Sequence, residues 1–238
     1  MNLESYVGQY TFADILAIEQ SDRQFIALQQ AWSQVSALGM TQELFVYLVV
    51  QCALISFQVA GSGPDRWEEF GRKVVADCAV LISLGHDNVD WRYDFLTHSR
   101  YNKRLYNIKR KRLEKFVNWY SVIVADKGLL DYHDDMTHLC AKLAHGMQQT
   151  VRSKTITLAV KMFGYAARIV TGRFVVYPMD VQIPVDSRLR QIYLYNKQKN
   201  VDEKKIQDYF QGLAEQFKVP PLHLDSLVWI DYREKIKN

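Results

Sequence analysis

The chain has 238 residues, 48% hydrophobic and 24% charged, which is ordinary for a globular protein with room for a sizeable core. Its formal charge of +4 permits a polyanionic partner without demanding one. Cys52, Cys78 and Cys140 lie far apart with no close Cys or His partner, which excludes a disulfide framework, a zinc knuckle and a four-thiolate iron–sulfur cluster; they read as buried, reduced thiols of a cytoplasmic protein.

Asn2, Glu4 and Ser5 supply neither a basic nor an apolar leader. Helical periodicity follows over 11–38, with a break at Ser21-Asp22. The most apolar run, LFVYLVVQCALISFQVAG (44–61), is interrupted by Gln51, Ser56 and Gln58, so it reads as a buried helix from an N-cap at Thr41 to near Gly61 and not as a membrane span. Residues 66–84 place Trp67, Phe70, Val74, Val75, Cys78, Leu81 and Ile82 on an apolar face. A long helix is expected over 101–125, another from Asp134-Asp135 to about Ala144, and two more over 154–170 and 187–197. The one β-like stretch, FVVYPMDVQIPVD (174–186), is broken by two prolines. No repeat, low-complexity tract or linker is present. A compact, nearly all-α unit over 1–238 follows, and two helical lobes sharing a cleft would suit its length.

Three segments carry chemistry. Between Arg100 and Lys115 stand eight Lys/Arg residues against one acid, Glu114, with Tyr101 and Tyr106 interleaved. On a helix, Leu105, Ile108, Arg112 and Phe116 fall toward one side and the cations spread over the other. That pattern suits either phosphate neutralisation or a plain solvated face. In IPVDSRLRQIYLYN (183–196), Pro184 keeps Ile183 extended and Asp186 takes the N-cap position, where a carboxylate stays ionised and can steady a developing cation. In SKTITLAVK (153–161), Lys154 and Lys161 lie two helical turns apart on one face of an otherwise apolar helix. Solvated lysines are the ordinary reading. A partly desolvated amine near a helix start would instead shed its proton more readily and act as a nucleophile.

Five blocks decide between these readings: ISFQVAGSGPDRWEEF (55–70), SRYNKRLYNIKRKRL (99–113), SKTITLAVKMFGYA (153–166), YPMDVQIPVDSR (177–188) and PPLHLDSLVW (220–229). In this order and spacing the chain resembles the archaeal-type 8-oxoguanine DNA glycosylase/lyases of the helix-hairpin-helix glycosylase superfamily. The resemblance implies a helix-hairpin-helix glycosylase-like fold with two helical lobes flanking a substrate cleft. It also implies a divergent hairpin over about 137–166, where MQQTVRSK replaces the usual glycine-rich LPGVG turn. By that similarity Lys154 is the Schiff-base nucleophile and Asp186 stabilises the oxocarbenium-like sugar and assists proton transfer. Gln29, Trp67, Leu158, Lys161, Asp225 and Trp229 contact the flipped 8-oxoguanine, with Leu158 where relatives carry an aromatic residue. Arg100, Asn102, Arg104, Lys109 and Arg110 hold the DNA backbone. The expected reaction is base excision followed by β-elimination, on single- or double-stranded DNA containing 8-oxoguanine. A monomer in the cytoplasm, nucleoid-associated through its DNA, is implied. No cofactor or metal is expected beyond a monovalent cation at the hairpin.

Overall fold

The computed structural model describes residues 2–197 and 202–232. In chain order its helices are α1 (Leu3–Val7), α2 (Phe12–Gln20), α3 (Arg23–Ala37), α4 (Gln42–Leu54), α5 (Gly63–Ala76), α6 (Cys78–Leu84), α7 (Val89–His98), α8 (Tyr106–Ile123), α9 (Met136–Gly146), α10 (Lys154–Thr171), α11 (Ser187–Lys197), α12 (Glu203–Phe217) and α13 (Pro221–Ser226). The last runs on into a π-helical stretch over Leu227–Tyr232. No strand occurs among the described residues, so the protein is all-α as expected. Among the described residues no helix is long and apolar enough to cross a membrane.

Polar side chains set the helix starts by accepting otherwise unpaired backbone N–H groups. Thr11 and Asp14 form a capping box on α2, while Asp22, Thr41, Ser62 and Asp135 cap α3, α4, α5 and α9. The break at Ser21-Asp22 therefore falls where the sequence places it. Helix α4 starts at the expected threonine but ends at Leu54, well short of Gly61. Beyond it the chain turns through Gln58 at φ 46°. Ala60 N–H then donates to the Tyr101 carbonyl at 2.8 Å, and Gly61, at φ 94°, lies against the Tyr101 ring where a Cβ would crowd it. The 66–84 run is two helices. Asp77 divides them, its carboxylate taking Trp91 Nε1–H at 2.6 Å and pairing with Lys73. Ile82 is exposed.

The expected 101–125 helix differs most. Leu105 is left-handed, at φ 58°, and α8 begins only at Tyr106. Its buried face is Lys109, Leu113, Phe116 and Ile123, while Ile108 is 53% exposed. The apolar stripe is thus rotated, because packing carries a lysine inward in place of an isoleucine.

Buried apolar side chains form two main clusters. One holds the interiors of α3, α4, α5, α8, α9 and α10, around Phe45, Val49, Phe70, Phe116 and Phe163. The other joins α1 and α2 to the C-terminal part, around Tyr6, Ile15, Ile183, Leu189, Phe210 and Leu227. Helix α10 is buried on nearly every side and packs on α4, α3 and α9, as an all-round apolar helix must. The extended 174–186 segment crosses it where Gly164 leaves room for the Tyr177 ring, and the Tyr177 hydroxyl donates to the Lys161 carbonyl at 2.6 Å. A Cβ at Gly164 would lie 2.3 Å from that ring. This approach delivers Pro184 and Asp186 to the open side of α10.

Candidate active site

Lys154, Leu158 and Lys161 share one face of α10 and line a cavity of about 240 Å³. The opposite wall comes from Pro184, Asp186 and Arg188 at the start of α11 and from Asp225 and Trp229 near the C-terminal end. Gln24, Trp67 and the 56–63 turn close the remaining side. The cavity therefore draws its walls from elements of both apolar clusters.

Its deepest charged groups are paired. Lys161 is 2% exposed and Asp225 5%, and Lys161 Nζ donates to Asp225 Oδ2 at 2.6 Å. Burial works against both charges. The Asp225 carboxylate, with Asp22 and Glu19 nearby, nonetheless keeps the Lys161 ammonium above its ordinary pKa, while burial raises the Asp225 carboxyl above the usual carboxylate range. Behind it Tyr165 OH donates to Asp22 at 3.2 Å and meets Ser226 Oγ at 3.1 Å. His223 meets Glu19 at 2.7 Å, and Arg168 donates to the same carboxylate at 2.8 Å. A buried polar network satisfied in this way holds its members in one arrangement.

Asp186 caps α11. Its Oδ1 accepts the backbone N–H groups of Arg188 and Leu189, each at 2.9 Å, and its Oδ2 takes Trp229 Nε1–H at 3.4 Å. The Arg188 guanidinium lies 4.6 Å from the Trp229 ring centre. Lys154, the first residue of α10 after the N-cap Ser153, is half-buried at the same cavity and enters no ion pair among the described residues. A lysine, a carboxylate fixed by backbone N–H groups, an indole ring and a buried ion pair therefore face one cavity.

The family profile described as an N-glycosylase/DNA lyase matches residues 4–238. The chain belongs to the N-glycosylase/DNA lyase family. A relative of that name from Methanococcus maripaludis is 35% identical over 214 residues, covering 89% of this chain and 78% of the relative. One from Methanopyrus kandleri is 32% identical over 231 residues, covering 97% and 88%. The fold matches a crystal structure of the 8-oxoguanine DNA glycosylase of Pyrobaculum aerophilum complexed with 8-oxoguanosine, with TM-score 0.78, 22% identity, and 95% and 84% of the two chains covered. The protein is accordingly an enzyme of DNA repair, a glycosylase and lyase.

In this N-glycosylase/DNA lyase the cavity gathers Lys154, Asp186, Trp67, Leu158, Lys161, Asp225 and Trp229 from the sequence-expected set. It does not gather Gln29, which is exposed on α3 beside Gln20, Phe25 and Arg168. Gln24, 8% exposed, lines the cavity instead. The Asp22 cap orients it, accepting Gln24 N–H at 2.9 Å and its side-chain amide at 3.3 Å. The available signal was the cap itself, since a helix aimed N-terminus first at a cleft presents its first turn.

Two expected backbone contacts are also corrected. Asn102 and Lys109 are each fully buried, and the Lys109 ammonium donates to Asn102 Oδ1, so neither reaches a phosphate. Burial, with Arg66 adding like charge, pushes the Lys109 ammonium down to about 8. Arg100, Arg104 and Arg110 are exposed; Arg110 pairs with Glu114 at 3.1 Å and lies over Tyr93. Arg66 and Arg188 also line the cavity, and both stand inside the family-like blocks.

Proposed function

We propose that the lesion excised is 8-oxoguanine, flipped out of single- or double-stranded DNA by a monomeric enzyme in the cytoplasm. One observation carries the reading: Lys154 and Asp186 line the same cavity as the buried Lys161–Asp225 pair. 8-Oxoguanine bears an N7–H donor and an O8 acceptor where guanine has a bare N7. A buried carboxylate would accept from that N–H but repel guanine's lone pair, and unpaired buried polar groups discriminate strongly. Trp229, with Arg188 on its ring, offers a stacking surface.

Chemistry follows from the same groups. The Lys154 amine forms a bond to C1′ as the glycosidic bond breaks, its electron pair leaving with the base, which takes up a proton. The amine loses a proton and the sugar ring opens to a protonated imine. Loss of a C2′ proton then expels the 3′ phosphate, and water hydrolyses the imine to free the lysine. Asp186, fixed by two backbone N–H groups, would stabilise the cationic sugar. No cofactor is needed, because lysine and water supply every changing bond.

Incision of one 8-oxoguanine oligonucleotide, run beside undamaged and abasic-site controls, tests this. Base release and a cut 3′ to the lesion are expected, with the undamaged strand intact. Cleavage of the abasic strand alone would refute 8-oxoguanine as the substrate.

A further inference from the structure

We propose that the same cavity admits a non-planar base, and that this enzyme excises spiroiminodihydantoin. That hydantoin forms when 8-oxoguanine loses two electrons, takes up one water and releases two protons. The proposal rests on the excision reading above.

The cavity is built in levels. Lys161 and Asp225, 2.6 Å apart, close its floor. One turn toward the start of α10 comes Leu158, and one turn beyond Asp225 comes Trp229, both half-buried and both lining the cavity. A further turn along α10 comes Lys154, and Trp229 reaches Asp186 at 3.4 Å. A base seated on the ion pair with its sugar at Lys154 therefore has Leu158 on one element beside it and Trp229 on the other. Trp67 is 1% exposed and packed edge-on to Phe70, which makes it an inner wall.

Only one of the two middle-level side chains is aromatic. Two facing rings would form a slot for flat bases, since stacking needs parallel planes. An aliphatic wall makes dispersion contacts with any shape and can change rotamer to suit it. In spiroiminodihydantoin two five-membered rings share one tetrahedral carbon, so their planes cross. One ring can lie on Trp229 while the other projects toward Leu158. The urea-like N–H and C=O groups of either ring match the Asp225 acceptor and Lys161 donor. The covalent step is unchanged: the Lys154–C1′ bond forms, the C1′–N bond breaks, and the departing nitrogen takes the electron pair and a proton. The lesion arrives already oxidised, so no oxidant is consumed.

The test is single-turnover base release from duplexes carrying spiroiminodihydantoin, 8-oxoguanine or guanine opposite cytosine. Wild type should release the spiro base within about tenfold of the 8-oxoguanine rate, and Leu158→Phe should lower the ratio of the two rates by about tenfold or more. Leu158→Met, an aliphatic control, should keep the ratio. A preparation that releases 8-oxoguanine but leaves the spiro base intact overturns the proposal, as does a ratio unmoved by Leu158→Phe. Failure on 8-oxoguanine itself would strike the excision reading instead.

Discussion

Lys154 and Lys161 lie on one helix face, yet burial gives them different work. Lys161 is locked to Asp225 at the floor, and Lys154 stands half-buried without an ionic partner among the described residues. Both positions were legible through the family resemblance of the SKTITLAVKMFGYA block, since helical spacing by itself puts them on one face but leaves solvated lysines as the ordinary reading. The glutamine was not legible: Gln24 and Gln29 are alike in type, and only the direction of α3 decides which one enters the cleft. Gln24→Ala should lower kcat/KM on 8-oxoguanine DNA by about tenfold, the scale of one lost hydrogen bond in a dry site, whereas Gln29→Ala should leave it unchanged. Steady-state kinetics of the two variants checks this, and the reverse ranking would restore Gln29.

Helix α8 shows where periodicity misleads. Its sequence offers Ile108 and Lys109 side by side, and hydropathy alone buries the isoleucine. The structure buries the lysine because Asn102, held in the preceding loop by Ser99, offers an acceptor. The cost appears in titration. Below about pH 8 the Lys109 proton is bound in both folded and unfolded chains, and folding buries a charge. Between about 8 and 10.5 only the unfolded chain binds it, so stability rises with pH across that window. Urea midpoints measured through this range should climb for wild type and climb less for Lys109→Met; equal slopes would contradict the assignment. The exposed cations of the same region behave otherwise. Replacing Arg104 or Lys111 by Gln should reduce the salt dependence of DNA binding by about one unit of slope each, and Lys109→Gln should leave that slope alone. Titrations at several salt concentrations separate the two groups.

At the scale of the whole molecule the cavity takes its walls from elements of both apolar clusters, and the second of these is discontinuous in sequence: residues from the first two helices pack with residues beyond Ile183. That explains why no lobe boundary was readable along the chain. A boundary sought along the chain presumes contiguous halves, and here the first two helices pack with the C-terminal part. The five sequence blocks escape this difficulty because each is a local stretch, and the fold brings all but the 99–113 block to the cavity. The 99–113 segment instead backs the cavity turn, through the Tyr101 ring against Gly61 and the Tyr101 carbonyl that accepts Ala60 N–H.

Covalent chemistry at Lys154 is the claim on which the rest depends, and borohydride trapping on an 8-oxoguanine duplex, with the adduct mapped by peptide mass spectrometry, addresses it most directly. The adduct should sit on Lys154 and vanish in Lys154→Gln. An adduct on another lysine, or one that persists undiminished in that variant, would contradict the account.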